Sequence, residues 1–230
     1  MRDAKVERID VRAYRIPTDY PEADGTLAWD STAMVLVIAR ADGQSGLGYS
    51  YSDASAAQLI ETKLKEIALG TGALAPPAAW QAMVAAVRNF GGQGLAASAI
   101  SAVDVALWDL KARLIDLPLA SLLGRYRDAV PVYGSGGFTS YPIDRLQAQL
   151  AGWVEQGIRM VKIKVGTEPR ADLVRVRAAR EAIGPAAALF VDANGAYHRK
   201  QALAFARISP RAMCPGSRSR SAPTIWQACA

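Results

Sequence analysis

From Lys5 to Tyr14, and again in "MVLVIAR" from Met34 to Arg40, the succession of apolar and polar positions is that of β-strands. "ADGQSGLGYSYS" continues through an Asp42-Gly43 turn into a third strand, so the N-terminal part predicts an antiparallel meander. Helical periodicity then takes over. It runs through "SAAQLIETKLKEIALG", through "PPAAWQAMVAAVRNF" behind a proline pair, and through the alanine-rich "LAASAISAVDVALWDLKARLI". Strands followed by helices predict an α+β region.

The pattern changes at "DLPLASLLGRYRDAVPVYGSGG", where Pro118 and Gly124 punctuate the helices and a new strand begins near Val130. Strand "AVPVYGSGG" precedes helix "PIDRLQAQLAGWVEQG". Strand "RMVKIKVG" precedes helix "PRADLVRVRAAREAIG", and strand "ALFVDANG" precedes helix "HRKQALAFAR". Three consecutive βα units predict a parallel sheet, open or closed into a barrel. The expected domains are therefore 1–127, an α+β region, and 128–207, the βα units, followed by a segment 208–230 of different character. A closed (β/α)₈ barrel takes roughly 200–250 residues. Only about a hundred follow Arg127, room for three of eight units, so the sheet is either a small open one or an incomplete barrel.

Composition narrows the classes without choosing among them. Half the residues are hydrophobic, enough for a sizeable core, and no run of about 18 apolar residues would span a bilayer. The charged start "MRDAKVERID" is unlike a secretory signal, and a cytoplasmic protein is expected. The net charge of +6 is unevenly spread: residues 1–207 hold 24 basic and 21 acidic side chains, and the rest of the excess lies in Arg211, Arg218 and Arg220. No basic cluster with interleaved aromatics appears, which argues against a nucleic-acid partner. Cys214 and Cys229 lack the spacing of a zinc or redox motif.

Candidate chemistry begins at "MVKIKVG", Met160 to Gly166, a strand with Lys162 and Lys164 on one face and aliphatic residues on the other. A parallel strand is normally apolar on both faces. Either this is an edge strand with solvated lysines, or the two ammonium groups sit at the C-terminal rim of a barrel-type sheet and depress each other's pKa, making one a usable base. The next strand ends in Asp192, with Asn194 and Gly195 after it. A carboxylate there caps the coming helix or binds a hard cation such as Mg²⁺. The helix is expected to begin nearer His198, which weakens the capping role. His198 itself is read as exposed or capping. Asp104, Asp109, Lys111 and Arg113 are read as a solvated face or as interdomain contacts, and "GSGGF" lacks a phosphate-binding spacing.

Taken in order, these features resemble the enolase superfamily, in its mandelate racemase and muconate lactonizing enzyme branch. The resemblance rests on "SAISAVDVALWDLKAR" followed by "LPLASLLG", on the Lys-x-Lys pair, on "VDANGAY" and on the 28-residue step from Lys164 to Asp192, and it extends from about Lys5 to Arg207. It implies an α+β capping domain followed by a TIM-type barrel. It further implies Mg²⁺-dependent removal of the proton next to the carboxylate of a small acid, through an enediolate. Lys164 matches the base, Lys162 the lysine beside it, and Asp192 the first of three metal carboxylates, with Asn194 adjoining. The capping-domain loop, Thr18 to Ser31, would close over the substrate through residues such as Tyr20 and Trp29. A homo-oligomeric parent is implied.

The family's later metal carboxylates would come from strands that this chain does not reach. The tail "ISPRAMCPGSRSRSAPTIWQACA" has no acid and no period. Back-translated from Gly216 with GC-rich codons and read in the shifted frame, it yields a Phe-Glu-Glu-Pro segment like the family's next strand. The expectation is a frameshifted, truncated chain that binds Mg²⁺ weakly and is inactive by itself. Racemase, epimerase or acid-sugar dehydratase chemistry is expected of the intact parent. Cycloisomerase or dipeptide epimerase activity, or a non-catalytic fragment, are the alternatives.

Overall fold

A computed structural model describes residues 4–89 and 91–208. The tail, including both cysteines and the proposed frameshift, lies outside the described residues. The chain divides into two compact units: residues 1–17 with 31–128, and residues 18–30 with 129–230.

The first unit is built on β1 (Arg8–Ala23), β2 (Ala28–Ala41) and β3 (Gln44–Tyr51), in the order β1-β2-β3. β2 and β3 pair antiparallel around the Asp42-Gly43 turn, with Ala41 opposite Gln44 and Met34 opposite Tyr51. The alternation shows in burial: Val35, Val37, Ala39 and Ala41 have no exposed surface, while the residues between them are only partly covered. The first helical stretch is α1 (Ser55–Leu59), a π-helical turn (Ile60–Leu64) and α2 (Lys65–Ala68). α3 (Pro76–Ala86) carries proline in its first turn, and α4 (Leu95–Leu114) and α5 (Leu119–Leu122) follow.

α4 packs on β3 at backbone distance. A Cβ added at Gly46 would stand 2.2 Å from the Ala106 carbonyl, and one at Gly48 would stand 2.1 Å from the Ala102 carbonyl. The alanines of α4 and the Gly-x-Gly of β3 are thus one device: small residues on both sides let helix and strand meet. Ala99, Ala102, Val103, Ala106, Leu107 and Leu110 bury the same face, and Lys111 and Arg113 lie in the last turn, favourable to the helix dipole.

The second unit contains three βα repeats: β4 (Gly134–Ser135) with α6 (Ile143–Glu155), β5 (Met160–Lys164) with α7 (Pro169–Ile183), and β6 (Ala188–Asp192) with α8 (Arg199–Ile208). The strands are parallel in the order β4-β5-β6, so β5 is central. The edge-strand reading of the two lysines is thereby ruled out. Val161, Ile163 and Val165 join Leu146, Leu150, Val176, Ala179 and Leu189 in one core. Lys162 and Lys164 stand on the opposite face of β5 and keep only 11 % and 12 % of their side-chain surface.

The segment expected to be a loop, Thr18 to Ser31, is instead the end of the β1–β2 hairpin, and its residues 18–30 group with the second unit.

Candidate functional site

Register builds the site. Lys162 pairs with Phe190 and Lys164 with Asp192 across neighbouring parallel strands, so pleating puts both lysines and the carboxylate on one face at the strands' C-terminal ends. Lys164 Nζ donates to Asp192 Oδ2 at 2.7 Å and to Asn194 Oδ1 at 2.6 Å. Lys162 Nζ lies 3.5 Å from the same Asp192 oxygen. The Asn194 backbone N–H donates to the other, Oδ1, at 3.0 Å, a local turn in which Asn194 takes φ 48°. Asparagine tolerates that left-handed conformation better than most residues.

Burial and the adjoining Lys164 ammonium push Lys162 down from 10.5 to about 8, against the opposing pull of Asp192. Burial alone would raise Asp192. The hydrogen bonds from Lys164 and the Asn194 N–H, with the two lysine charges, outweigh it and hold the carboxyl below its usual range.

A second carboxylate sits nearby on the hairpin. Asp24, 9 % exposed, folds its own turn by accepting from the N–H groups of Thr26 (2.7 Å) and Leu27 (2.8 Å) and from the Thr26 hydroxyl. Burial raises its pKa, but these donors and the Lys164 charge more than offset it and leave the pKa lowered. The turn is gripped by the loops after β4 and β5 and lies against the loop after β6. Thr139 and Thr167 hydroxyls both donate to the Asp24 carbonyl at 3.0 Å, the Thr139 N–H to the Ala23 carbonyl at 2.8 Å, and the Ser140 hydroxyl to the Pro21 carbonyl at 2.7 Å. At Gly25 a Cβ would lie 2.6 Å from the Ala193 carbonyl and 2.8 Å from that of Val165, so only glycine lets the turn settle on the rim.

Lys162, Lys164, Asp192 and Asn194 thus come together. Tyr20 and Trp29 are placed differently: Tyr20 packs edge-on against Tyr141 (5.4 Å) and under the Arg145 guanidinium, while Trp29 meets Phe138 (5.6 Å) and donates to Glu22. His198 and Gln201 bond reciprocally at the start of α8, the backbone N–H of each donating to the other's side chain, a capping arrangement.

Sequence reasoning assigned no role to Asp172, Arg175 or Tyr197. Asp172 is 1 % exposed and accepts from the Gly166 N–H at 2.9 Å and from the Tyr197 hydroxyl. Arg175 donates to the carbonyls of Tyr141 (2.7 Å) and Phe138 (2.5 Å). An i, i+3 acid and base in an arginine-rich helix reads as surface, and Tyr197 was visible only as the last letter of "VDANGAY".

A divalent cation finds part of a site. Among the described residues no group of three or more His, Cys, Asp or Glu side chains converges, and Asp192 already faces two ammonium groups. Mg²⁺ asks for near-octahedral oxygen ligation, so these residues do not by themselves form its site.

A meander-and-helix region followed by parallel βα units, with lysines and a carboxylate at the strands' C-terminal rim, is the architecture of an α+β domain followed by an incomplete α/β barrel. Residues 9–124 match the mandelate racemase / muconate lactonizing enzyme N-terminal domain, and residues 145–210 match the enolase C-terminal domain-like family. The chain belongs to the enolase superfamily, in its mandelate racemase/muconate lactonizing enzyme branch. It is 37 % identical over 196 residues to 3,6-anhydro-alpha-L-galactonate cycloisomerase of Streptomyces coelicolor, covering 82 % of this chain and 54 % of that protein. It is 39 % identical over 184 residues to L-talarate/galactarate dehydratase of Salmonella typhimurium, covering 76 % and 46 %. The crystal structure of the latter, liganded with Mg and L-lyxarohydroxamate, superposes with a TM-score of 0.82 at 32 % identity, over 91 % of this chain and 56 % of that one. A mandelate racemase/muconate lactonizing enzyme-like protein from Rubrobacter xylanophilus superposes with a TM-score of 0.89 at 60 % identity, over 91 % and 58 %. The chain spans about half the length of these curated relatives. No helix among the described residues is long and apolar enough to cross a membrane.

Proposed function

We propose that the site removes the proton next to the carboxylate of a small hydroxy acid of the sugar-acid class, with Lys164 as the base. The carrying observation is the convergence of Lys164, Lys162, Asp192 and Asn194 on one face at the ends of two parallel strands. The sugar acids named for the relatives support the substrate class.

Lys164, once deprotonated, takes the α-proton onto Nζ. Asp192 and Asn194 fix that nitrogen, which lowers the entropic cost of aligning it with the carbon. Lys162, beside it and largely buried, sets positive charge against the enediolate that develops, where a poorly solvated charge counts for more than in water. The intermediate then regains a proton at carbon, giving racemisation or epimerisation, or loses a group from the adjacent carbon, giving dehydration. Dipeptide epimerisation shares that first step, while cycloisomerisation of the muconate type reaches the same kind of intermediate by internal addition of a carboxylate and then has the lysine deliver a proton to it. Mg²⁺ belongs to this reading as cofactor of the whole protein, which is proposed to be a homo-oligomer in the cytoplasm. The 230-residue chain by itself is proposed to bind the ion weakly and to be inactive, because among the described residues Asp192 is the one carboxylate paired with the lysines, while the nearby Asp24 is taken up by the donors of its own turn.

The test is Mg²⁺-dependent exchange of the α-proton of sugar acids for deuterium. It compares this chain with a chimera in which residues 1–208 replace the matching part of the Rubrobacter xylanophilus protein. Exchange is expected in the chimera and absent from its Lys164→Ala form and from the chain alone. Exchange that survives Lys164→Ala in the chimera overturns the assignment.

A further inference from the structure

The two loops that carry the reactive groups are tied to a single buried oxygen. Gly166 lies two residues after Lys164, and its N–H donates to Asp172 Oδ2 at 2.9 Å. Tyr197 lies three residues after Asn194, and its hydroxyl donates to the same Oδ2. Asp172 is 1 % exposed and Tyr197 6 %. A charged side chain buried to that degree on the outer helix of a βα unit costs solvation that its hydrogen bonds have to offset. A leucine at 172 would pack there without that cost, but it could not hold the two loops in register.

Three residues on, Arg175 gives the same helix a second hold. Its guanidinium donates to Tyr141 and Phe138, in the loop after β4, so the first turns of α7 reach the loops after all three strands.

We propose that Asp172 and Tyr197 are positioning residues for Lys164. The Tyr197 hydroxyl holds the 193–198 loop down on Asp172, and this keeps the Asn194 carboxamide oxygen at Lys164 Nζ. Without the tether Asn194 leaves, and Lys164 is held by Asp192 alone and becomes accessible. The proposal rests on the reading of Lys164 as the reactive amine, but its test does not need turnover.

The 230-residue chain is treated with a limiting amount of acetic anhydride under folding conditions, and acetylation of Lys164 is read by peptide mass spectrometry. Tyr197→Phe keeps the ring on Phe205, 5.5 Å away, and loses only the hydroxyl. We expect Lys164 acetylation to rise about fivefold. Phe205→Leu, which weakens the packing on the Tyr197 ring but leaves its hydroxyl and Asp172 in place, should leave Lys164 labelling unchanged. Asp172→Asn, which keeps an acceptor oxygen for both donors, should label like wild type. Unchanged labelling in Tyr197→Phe overturns the proposal. So does equal labelling in Tyr197→Phe and Phe205→Leu, or a Tyr197→Phe protein with no cooperative melt, since either makes the pair a packing element. A Lys164 that is positioned as described in a chimera without α-proton exchange would refute the proposed function and leave the tether standing.

Discussion

Lys164 and Asp192 stand directly opposite each other in the β5–β6 register and are joined Nζ to Oδ2 at 2.7 Å, so the carboxylate best placed to bind a cation already has one. An incoming metal ion has to displace a covalently tethered ammonium.

Mg²⁺ should accordingly bind this chain with a dissociation constant of about 1 mM or weaker, since a single carboxylate leaves most of the octahedron to water. Asp192→Asn should remove that residual binding, followed by Mn²⁺ relaxation or calorimetry. Micromolar binding would contradict the geometry.

Lys162 should make stability depend on pH in an unusual direction. Its folded pKa, about 8, lies below its ordinary 10.5. Between those values the unfolded chain holds a proton that the folded chain has released, so stability contributed by this residue rises with pH across the window and is level on either side. Lys162→Met should abolish that rise and stabilise the fold at neutral pH by about 1 kcal/mol, because it removes a buried charge while Asp192 keeps Lys164. Urea melts of both proteins from pH 7 to pH 10.5 measure it; parallel curves would count against the burial.

The hairpin turn should loosen in steps. Thr139→Val or Thr167→Val leaves the Asp24 carbonyl one donor, at a cost of about 1 kcal/mol each. The double substitution orphans it. Amide exchange in residues 18–30 should then quicken at least about tenfold, more than the two single effects suggest. Gly25→Ala should produce the same release by itself, because its Cβ meets the Ala193 and Val165 carbonyls and the Ala196 Cβ, none of which can swing aside.

Gly48→Ala should cost about 3 kcal/mol or more by overpacking. The added methyl would lie 2.1 Å from a carbonyl of α4, and a helix backbone has no rotamer to change. Thermal melting reads the loss directly, with Gly92→Ala, where nothing lies within 4 Å and no left-handed φ is required, as the spatial control.

Much of this was legible in the chain. The Asp42-Gly43 turn, the alanine face of α4 and the three βα repeats follow from local pattern, because each depends on residues close in sequence. Lys162, Lys164 and Asp192 were legible because charge is conspicuous in strands that should be apolar. The extent of β1 and β2 was not, since "RIPTDYPEADGTLAWDS" carries prolines and acids where strands usually have neither. Its order comes from Thr139, Ser140 and Thr167, more than a hundred residues away. Asp172 and Tyr197 were hidden for the same reason: a charged residue on an arginine-rich helix looks solvated until a distant tyrosine is found lying on it.

The hydrogen-bonded part of the grip on the hairpin reads main chain. Thr139, Ser140 and Thr167 take hold of the carbonyls of Ala23, Asp24 and Pro21, and of no side chain. Provided Asp24 and the Thr26 hydroxyl keep the turn and Gly25 keeps it thin, the side chains at positions 19 and 27 are left out of the docking code. Selection, natural or in the laboratory, can therefore rewrite those positions without renegotiating how the turn is seated.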